Sequence, residues 1–240
     1  MSRLGDRAVV FGASGAIGGA LVDALRRRGV GEVHALSRQP GANSPGVYPA
    51  YVDLLDEVSL GGQAARLGAD GMLDTIIVAT GLLHAPGMLP EKALRDLRPE
   101  SLATLFAVNC IGPSLVMKHF LGLLPRDRPA RFAALSARVG SISDNQKGGW
   151  YGYRAAKAGL NMMLRSAAIE IARRAPQAVI MGLPPGTVDS ALSQPFQKLV
   201  PPGQLRQPED AAEQLLDVLE AARPEQSGKL FAYDGTEILP

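Results

Sequence analysis

Apolar positions along the chain fall into two kinds of segment that alternate. Ala8-Val9-Val10-Phe11 is a short run without period, of the kind used by a strand buried on both faces. Similar runs at 32–36, 47–52, 73–78, 130–135, 178–183 and 229–233 bring the predicted strands to seven. Between them, apolar residues recur at helical spacing over 20–28, 54–67, 101–124, 153–174 and 208–222. Gly29 closes the first of these helices and Pro208 opens the last. This alternation predicts an α/β fold, a doubly wound and mostly parallel sheet flanked by helices. A chain of 240 residues, 46% of them hydrophobic, can bury one full core. No Pro/Ser-rich or charge-rich linker divides it, so residues 1–240 read as one domain.

The first strand runs into Gly12-Ala13-Ser14-Gly15-Ala16-Ile17-Gly18-Gly19. Glycines let a backbone approach a pyrophosphate, and the helix that follows offers it free N–H groups and a positive dipole end. Such a turn can also be only a tight loop; as the first turn of an alternating chain it predicts a dinucleotide site. The second strand ends in Ser37-Arg38, and no acid stands there to hold a ribose 2′-hydroxyl. A hydroxyl followed by a guanidinium suits a 2′-phosphate, which predicts NADP(H) in preference to NAD(H) unless Arg38 is simply a surface arginine. Asp53 is placed either to contact the adenine amino group or to cap the helix starting at Leu54. Ala79-Thr80-Gly81, ending the fourth strand, falls where the cofactor crevice of such a sheet opens.

Candidate chemistry lies further on. Tyr153 and Lys157 are four residues apart on one predicted helix, and an ammonium beside a phenol favours the phenolate. In the preceding helix Pro113 lacks an N–H, so a kink is expected that leaves the Asn109 carbonyl free for a water in a proton path. Ser136 ends the fifth strand; local hydrogen bonding and donation to a substrate oxygen are both open, and no Gly-x-Ser-x-Gly elbow surrounds it. The turn Pro184-Pro185-Gly186-Thr187-Val188-Asp189-Ser190 and residues 192–200 resemble a mobile flap over a ligand, with Trp150, Phe196 and Leu199 open to either reading, as pocket walls or as packing residues. His34, His84 and His119 have no metal-like spacing and read as incidental.

Charge and cysteine content narrow the setting. A formal charge of +2, with 25 basic residues interspersed among 23 acidic ones, calls for neither nucleic acid nor an anionic membrane as partner. The single cysteine, Cys110, allows no internal disulfide or Cys-x-x-Cys site and reads as a small core residue. The first residues carry no apolar leader, and no uninterrupted apolar run is long enough to span a bilayer, so a cytoplasmic protein is expected.

Taken together, Gly12-Ala-Ser-Gly15-Ala-Ile-Gly18, Asp53, Asn109, Ser136, Tyr153-x-x-x-Lys157 and Pro185-Gly186-Thr187-Val188 resemble the short-chain dehydrogenases/reductases in order and spacing. Tyr-Gly-Tyr-Arg-Ala-Ala-Lys, Pro-Gly-Thr-Val-Asp-Ser and the ending at 228–235 resemble the C-factor-like and sniffer-like carbonyl reductase branch. Two departures stand out: Ala16 where the commoner pattern has Gly, and Val78-Ala79-Thr80-Gly81 where it has Asn-Asn-Ala-Gly. The resemblance implies a single Rossmann-type domain and an NADP(H)-dependent oxidoreductase acting on a small carbonyl or alcohol substrate. In the roles it implies, Tyr153 is the acid or base, and Lys157 lowers its pKa and holds the nicotinamide ribose. Ser136 orients the substrate oxygen, and Asn109 holds the water of a proton relay. Gly12, Ser14, Gly15, Ile17 and Gly18 cradle the pyrophosphate. Ser37, Arg38, Asp53, Leu54 and 79–81 border the nucleotide, and Thr187 and Val188, after Pro185 and Gly186, meet the nicotinamide amide. Relatives are often homodimers or homotetramers through the helices near Ser101 and Tyr153. The alternative is a dinucleotide-binding signalling or sensor protein of C-factor type with little turnover.

Overall fold

The computed structural model describes residues 4–240. An eight-stranded sheet in the order β3-β2-β1-β4-β5-β6-β7-β8 forms its centre. The strands are β1 (Arg7–Phe11), β2 (Glu32–Ser37), β3 (Val47–Tyr51), β4 (Thr75–Val78), β5 (Ala130–Ala134), β6 (Ala178–Gly182), β7 (Leu230–Phe231) and β8 (Glu237–Ile238). The first seven are parallel; β8 returns antiparallel to β7 and adds one strand to the seven expected. The predicted last strand, 229–233, keeps only two residues because the chain turns back at Asp234 and Gly235, whose φ is +81°.

Side chains alternate across the sheet as a pleat requires. Val9, Phe11, Ile76, Val78, Phe132 and Ile180 join one core, and Ala8, Val10, Ile77, Ala133, Val179 and Met181 the other. The first is covered by α2 (Glu57–Ala69), α4 (Gly112–Phe120) and α5 (Tyr151–Ala172); the second by α1 (Ala16–Arg27) and α6 (Pro208–Ala221). Both faces are dry, which is why these strands read as continuous apolar runs.

Three helices differ from expectation, each for a local reason. α1 begins at Ala16, not at 20, so Ile17, Gly18 and Gly19 form its first turn; Gly18 fits there because a Cβ would lie 2.1 Å from the Gly12 carbonyl oxygen. α2 begins at Glu57 because Asp56 caps it, accepting from Val58 N and Ser59 N, while Asp53 accepts from Leu55 N and caps only the preceding turn. The expected helix 101–124 divides into α3 (Pro99–Phe106), a π-helical turn over Ala107–Ile111, α4 and a 3₁₀ turn over Leu121–Leu123. The irregularity near Pro113 is therefore a widened turn, with Gly112 N bonded to Ala107 O, rather than a simple kink. Pro113 then sits in the first turn of α4, where its missing N–H is least felt. The whole run Pro99–Leu123, with mean hydropathy 1.3 over its best window, is by length and composition apolar enough to cross a membrane, which the sequence reading did not expect. Here it packs Val116, Met117 and Phe120 against the sheet.

Candidate active site

The chain reverses direction in the sheet between β1 and β4, and a crevice opens at the carboxyl ends of such neighbouring strands. A cavity of about 600 Å³ lies there. It is bordered by the predicted Gly12, Ser14, Gly15, Ser37, Arg38, Asp53, Leu54, Ala79, Thr80 and Gly81. Gln39, Val52, Leu55 and Val108 also border it, and the sequence pattern gave no sign of them.

Backbone geometry shapes the floor of this crevice. Gly12 has φ +82°, and its N–H donates to Leu36 O. Its carbonyl accepts from Gly15 N, and that oxygen fills the place where Gly18 would carry a side chain. Gly15, at the N-cap of α1, offers no side-chain cap, and the first turn of α1 holds no acid, unlike α2 with its Asp56. The first N–H groups of α1 thus stay open toward an anion. Thr80 Oγ1 is buried without a protein partner among the described residues. Ser37 is buried, and Arg38 stands exposed on the rim with no salt bridge among those residues. An uncapped helix start, a glycine cradle and an orphaned hydroxyl fit a dinucleotide. Thr187 and Val188 follow β6 and are held by Arg206, whose N–H donates to Thr187 O and whose O accepts from Asp189 N. Gly186 has φ +74°, and a Cβ there would lie 3.0 Å from the Tyr233 ring. Pro185 and these three residues do not border the 600 Å³ cavity.

Tyr153 and Lys157 lie buried on α5, with the Lys157 Nζ 5.8 Å from the phenol ring centre. Nζ donates to Leu135 O over 2.7 Å, just before Ser136. A Cβ on Gly81 would lie 4.0 Å from Nζ and 3.6 Å from both Asn109 Oδ1 and Leu192 Cδ1. The end of β4, the π-turn, the catalytic-helix candidates and residue 192 therefore converge. Asn109 is fully buried and its side chain is spent: Oδ1 accepts from Leu82 N, and Nδ2 donates to Leu82 O and Leu105 O. Ser136 Oγ donates to Asn161 Oδ1.

Electrostatics run against the sequence expectation in one respect. Burial pushes the Tyr153 phenol up to about 12 and pulls the Lys157 ammonium down to about 8. Lys157 does not bring the phenol toward neutrality in this arrangement, because desolvation disfavours the charged form of both groups. Cys110 is likewise pushed up, chiefly by burial, and packs as a core thiol.

An apolar cluster covers the phenol: Leu83, Leu105, Trp150, Leu192 and Phe196. Trp150 has φ +52° and lies 5.2 Å from Phe196 between ring centres. Within 192–200, where a flap is expected, the chain forms a 3₁₀ helix over Gln194–Leu199. His84 holds it, with Nε2 3.2 Å from Ala191 O and its ring 5.8 Å from Phe196, so that this histidine is not incidental. Leu199, expected as a wall or as packing, points to solvent at 84% exposure.

The chain belongs to the short chain dehydrogenase family, whose pattern matches residues 6–199. It is an NAD(P)-dependent oxidoreductase of that family. It is 34% identical over 146 residues to C-signal of Myxococcus xanthus, covering 61% of this chain and 82% of that one. Its fold superposes on the carbonyl reductase Sniffer of D. melanogaster with a TM-score of 0.85, at 19% identity over 98% of this chain and 99% of the other. The NADPH-bound carbonyl reductase from chicken fatty liver gives the same TM-score at 21% identity, again over 98% and 99%. The C-factor-like and sniffer-like branch is thus where the likeness falls.

Proposed function

We propose that residues 1–240 form a single domain that interconverts a carbonyl compound and an alcohol with NADP(H). The observation that carries this reading is the convergence at Gly81, where the glycine crevice meets Lys157 and Asn109, with Tyr153 on the same helix. When bound, the dinucleotide supplies or takes the hydride. The chain's own residues bind, orient and move a proton. Gly12, Ser14, Gly15, Ile17 and Gly18 hold the pyrophosphate; Ser37 and Arg38 hold the 2′-phosphate, which favours NADP(H) over NAD(H). The NADPH-bound relative supports that preference. With its pKa near 12, Tyr153 is protonated at neutral pH and suited to give a proton to a carbonyl oxygen, with Ser136 orienting that oxygen. Lys157, near 8, holds a charge that changes within the working pH range beside the phenol and the ribose site. Asn109 fixes the loop at Leu82 that frames the crevice mouth.

The apolar cover over Tyr153 supports a small or medium apolar substrate. Exposed Ile111, Met162, Met163 and Ile169, on α5 and the run beside it, support self-association as a homodimer or homotetramer through these helices. The buried Cys110 suits a cytoplasmic setting. Tyr153→Phe should retain NADPH binding and lose turnover by roughly 10³-fold on a panel of aldehydes, ketones and quinones. Likeness to C-signal favours a second reading, a dinucleotide sensor. Tight NADPH binding with no consumption across the panel would select it.

A further inference from the structure

Glu91 is buried, with 4% of its surface exposed, and no step proposed above uses it. It meets the start of α5 from 61 residues away: Gly152 N–H donates to its Oε2 over 3.2 Å, and Trp150 N–H to its main-chain oxygen over 2.6 Å. Its Oε1 is buried without a hydrogen-bond partner among the described residues. That oxygen fills the place a side chain on residue 152 would need, since a Cβ on Gly152 would lie 2.9 Å from it. Trp150 is the N-cap of α5 and makes no side-chain cap bond of its own, so Glu91 supplies the cap from outside.

The residue so held is a strained one. Gly148, Gly149 and Trp150 follow one another at φ +62°, +66° and +52°. Two of them are glycines, which take a left-handed backbone freely, whereas a bulky residue there is strained. A third glycine would make the same turn without strain. Arg154 grips this turn from the other side, its guanidinium donating to Gly148 O, Gly149 O and Val139 O. Between the two holders, the indole reaches the apolar cover of Tyr153, its ring centre 6.4 Å from that of Tyr153 and 5.2 Å from that of Phe196. A left-handed tryptophan and a buried carboxyl with an unpartnered oxygen are two costs at one spot. Strain of this kind persists where the surroundings over-determine it, and it gathers at functional sites.

We propose that Glu91 and Arg154 are positioning residues that hold Trp150 left-handed, so that its indole forms the wall on which the carbonyl substrate rests beside Tyr153. This rests on the reductase reading above. Both act through the indole rather than on the reacting atoms. Released from either holder, the turn relaxes, fewer molecules present the wall, and apparent substrate affinity falls by that fraction. Tyr153 is fixed by its own burial and by the rest of α5, so its proton transfer is left nearly intact.

The test uses the full chain, its single tryptophan and the best substrate of the carbonyl panel. E91A should raise KM roughly tenfold while kcat and NADPH affinity stay within about threefold. Its cofactor-free tryptophan emission should shift to the red and be quenched more readily by acrylamide, because the indole leaves its apolar cover. R154M should show the same pair of changes, and it decides the matter if E91A does not fold. E91Q keeps an acceptor for Gly152 N–H and should restore KM and emission together. W150G relieves the backbone and removes the wall, so it should raise KM by itself, and adding E91A to it should cost less than about a further twofold. Stability lost in E91A or R154M with KM and emission unchanged, or an E91A effect on KM as large in W150G as in the native chain, overturns the proposal. A native chain that consumes no NADPH across the whole panel is a different failure: it removes the reductase reading and this proposal together, whatever the emission shows.

Discussion

The two halves of the sheet build their share of the site by different means. In the first, β1 to β3 with α1, the proposed ligand surface is main chain: a left-handed Gly12, a side-chain-free Gly18 and an uncapped helix start. In the second, from β4 to α5, it is side chain: Asn109, Ser136, Tyr153 and Lys157, all buried and, the phenol apart, each hydrogen-bonded to a named partner. A buried base marks each half. His34 on β2 has both ring nitrogens buried without a hydrogen-bond partner among the described residues, Nε2 standing 3.7 Å from Glu32 Oε2, and burial first, then Arg7, pulls it down to about 4. Lys157 is pulled down by burial as well, but it is tied to Leu135 O. A buried base without a hydrogen bond is a cost to stability, whereas one tethered at the proposed reacting centre would keep a charge where the proposed chemistry needs it.

The contrast can be broken most sharply at Gly18. Gly18→Ala places a methyl 2.1 Å from a main-chain oxygen, so about 4 kcal/mol of stability should go, with NADPH affinity falling alongside. Calorimetry and titration read both, and an unchanged affinity would mean that the turn is not a backbone cradle. His34 comes next. Its folded pKa lies below its unfolded value of 6.5, so stability is intact above pH 6.5 and is lost as pH falls to about 4, by roughly 3 kcal/mol. His34→Phe should flatten that slope in urea melts at pH 7 and 4.5.

Lys157 gives the opposite pairing of effects. Below pH 8 both folded and unfolded chains carry the ammonium, and the folded one holds it in a dry site at a cost of about 3 kcal/mol. Wild-type stability should therefore rise from pH 8 to 10.5 as the folded chain sheds its proton first. Lys157→Met removes that penalty and one hydrogen bond to Leu135 O, so at pH 7 it should be more stable by about 2 kcal/mol and without turnover. A destabilised, active variant would reverse the comparison. The smallest effect is expected at the exposed rim: Arg38→Ala should weaken NADPH about tenfold and NADH hardly at all. Equal losses would take the guanidinium out of cofactor choice.

The sheet was legible because both of its faces are dry. Strands such as Ala8-Val9-Val10-Phe11 and 178–183 then carry an unbroken apolar signature, and the alternation with helices follows. The glycine turn and the Tyr153–Lys157 spacing were legible for the same reason: each is a local pattern whose geometry a few neighbouring residues dictate. What needed the folded molecule was every property set by residues far apart in the chain. The start of α1 moved to Ala16 because the Gly12 carbonyl packs under Gly18, and Asp53 lost the helix cap to Asp56. His84 became the holder of a segment more than a hundred residues away, at Ala191. The direction of the Tyr153 shift also lay outside the chain's local pattern, since spacing reports that an ammonium is near but not how much water is left. Burial is a property of the whole packing, and here it outweighs the neighbouring charge.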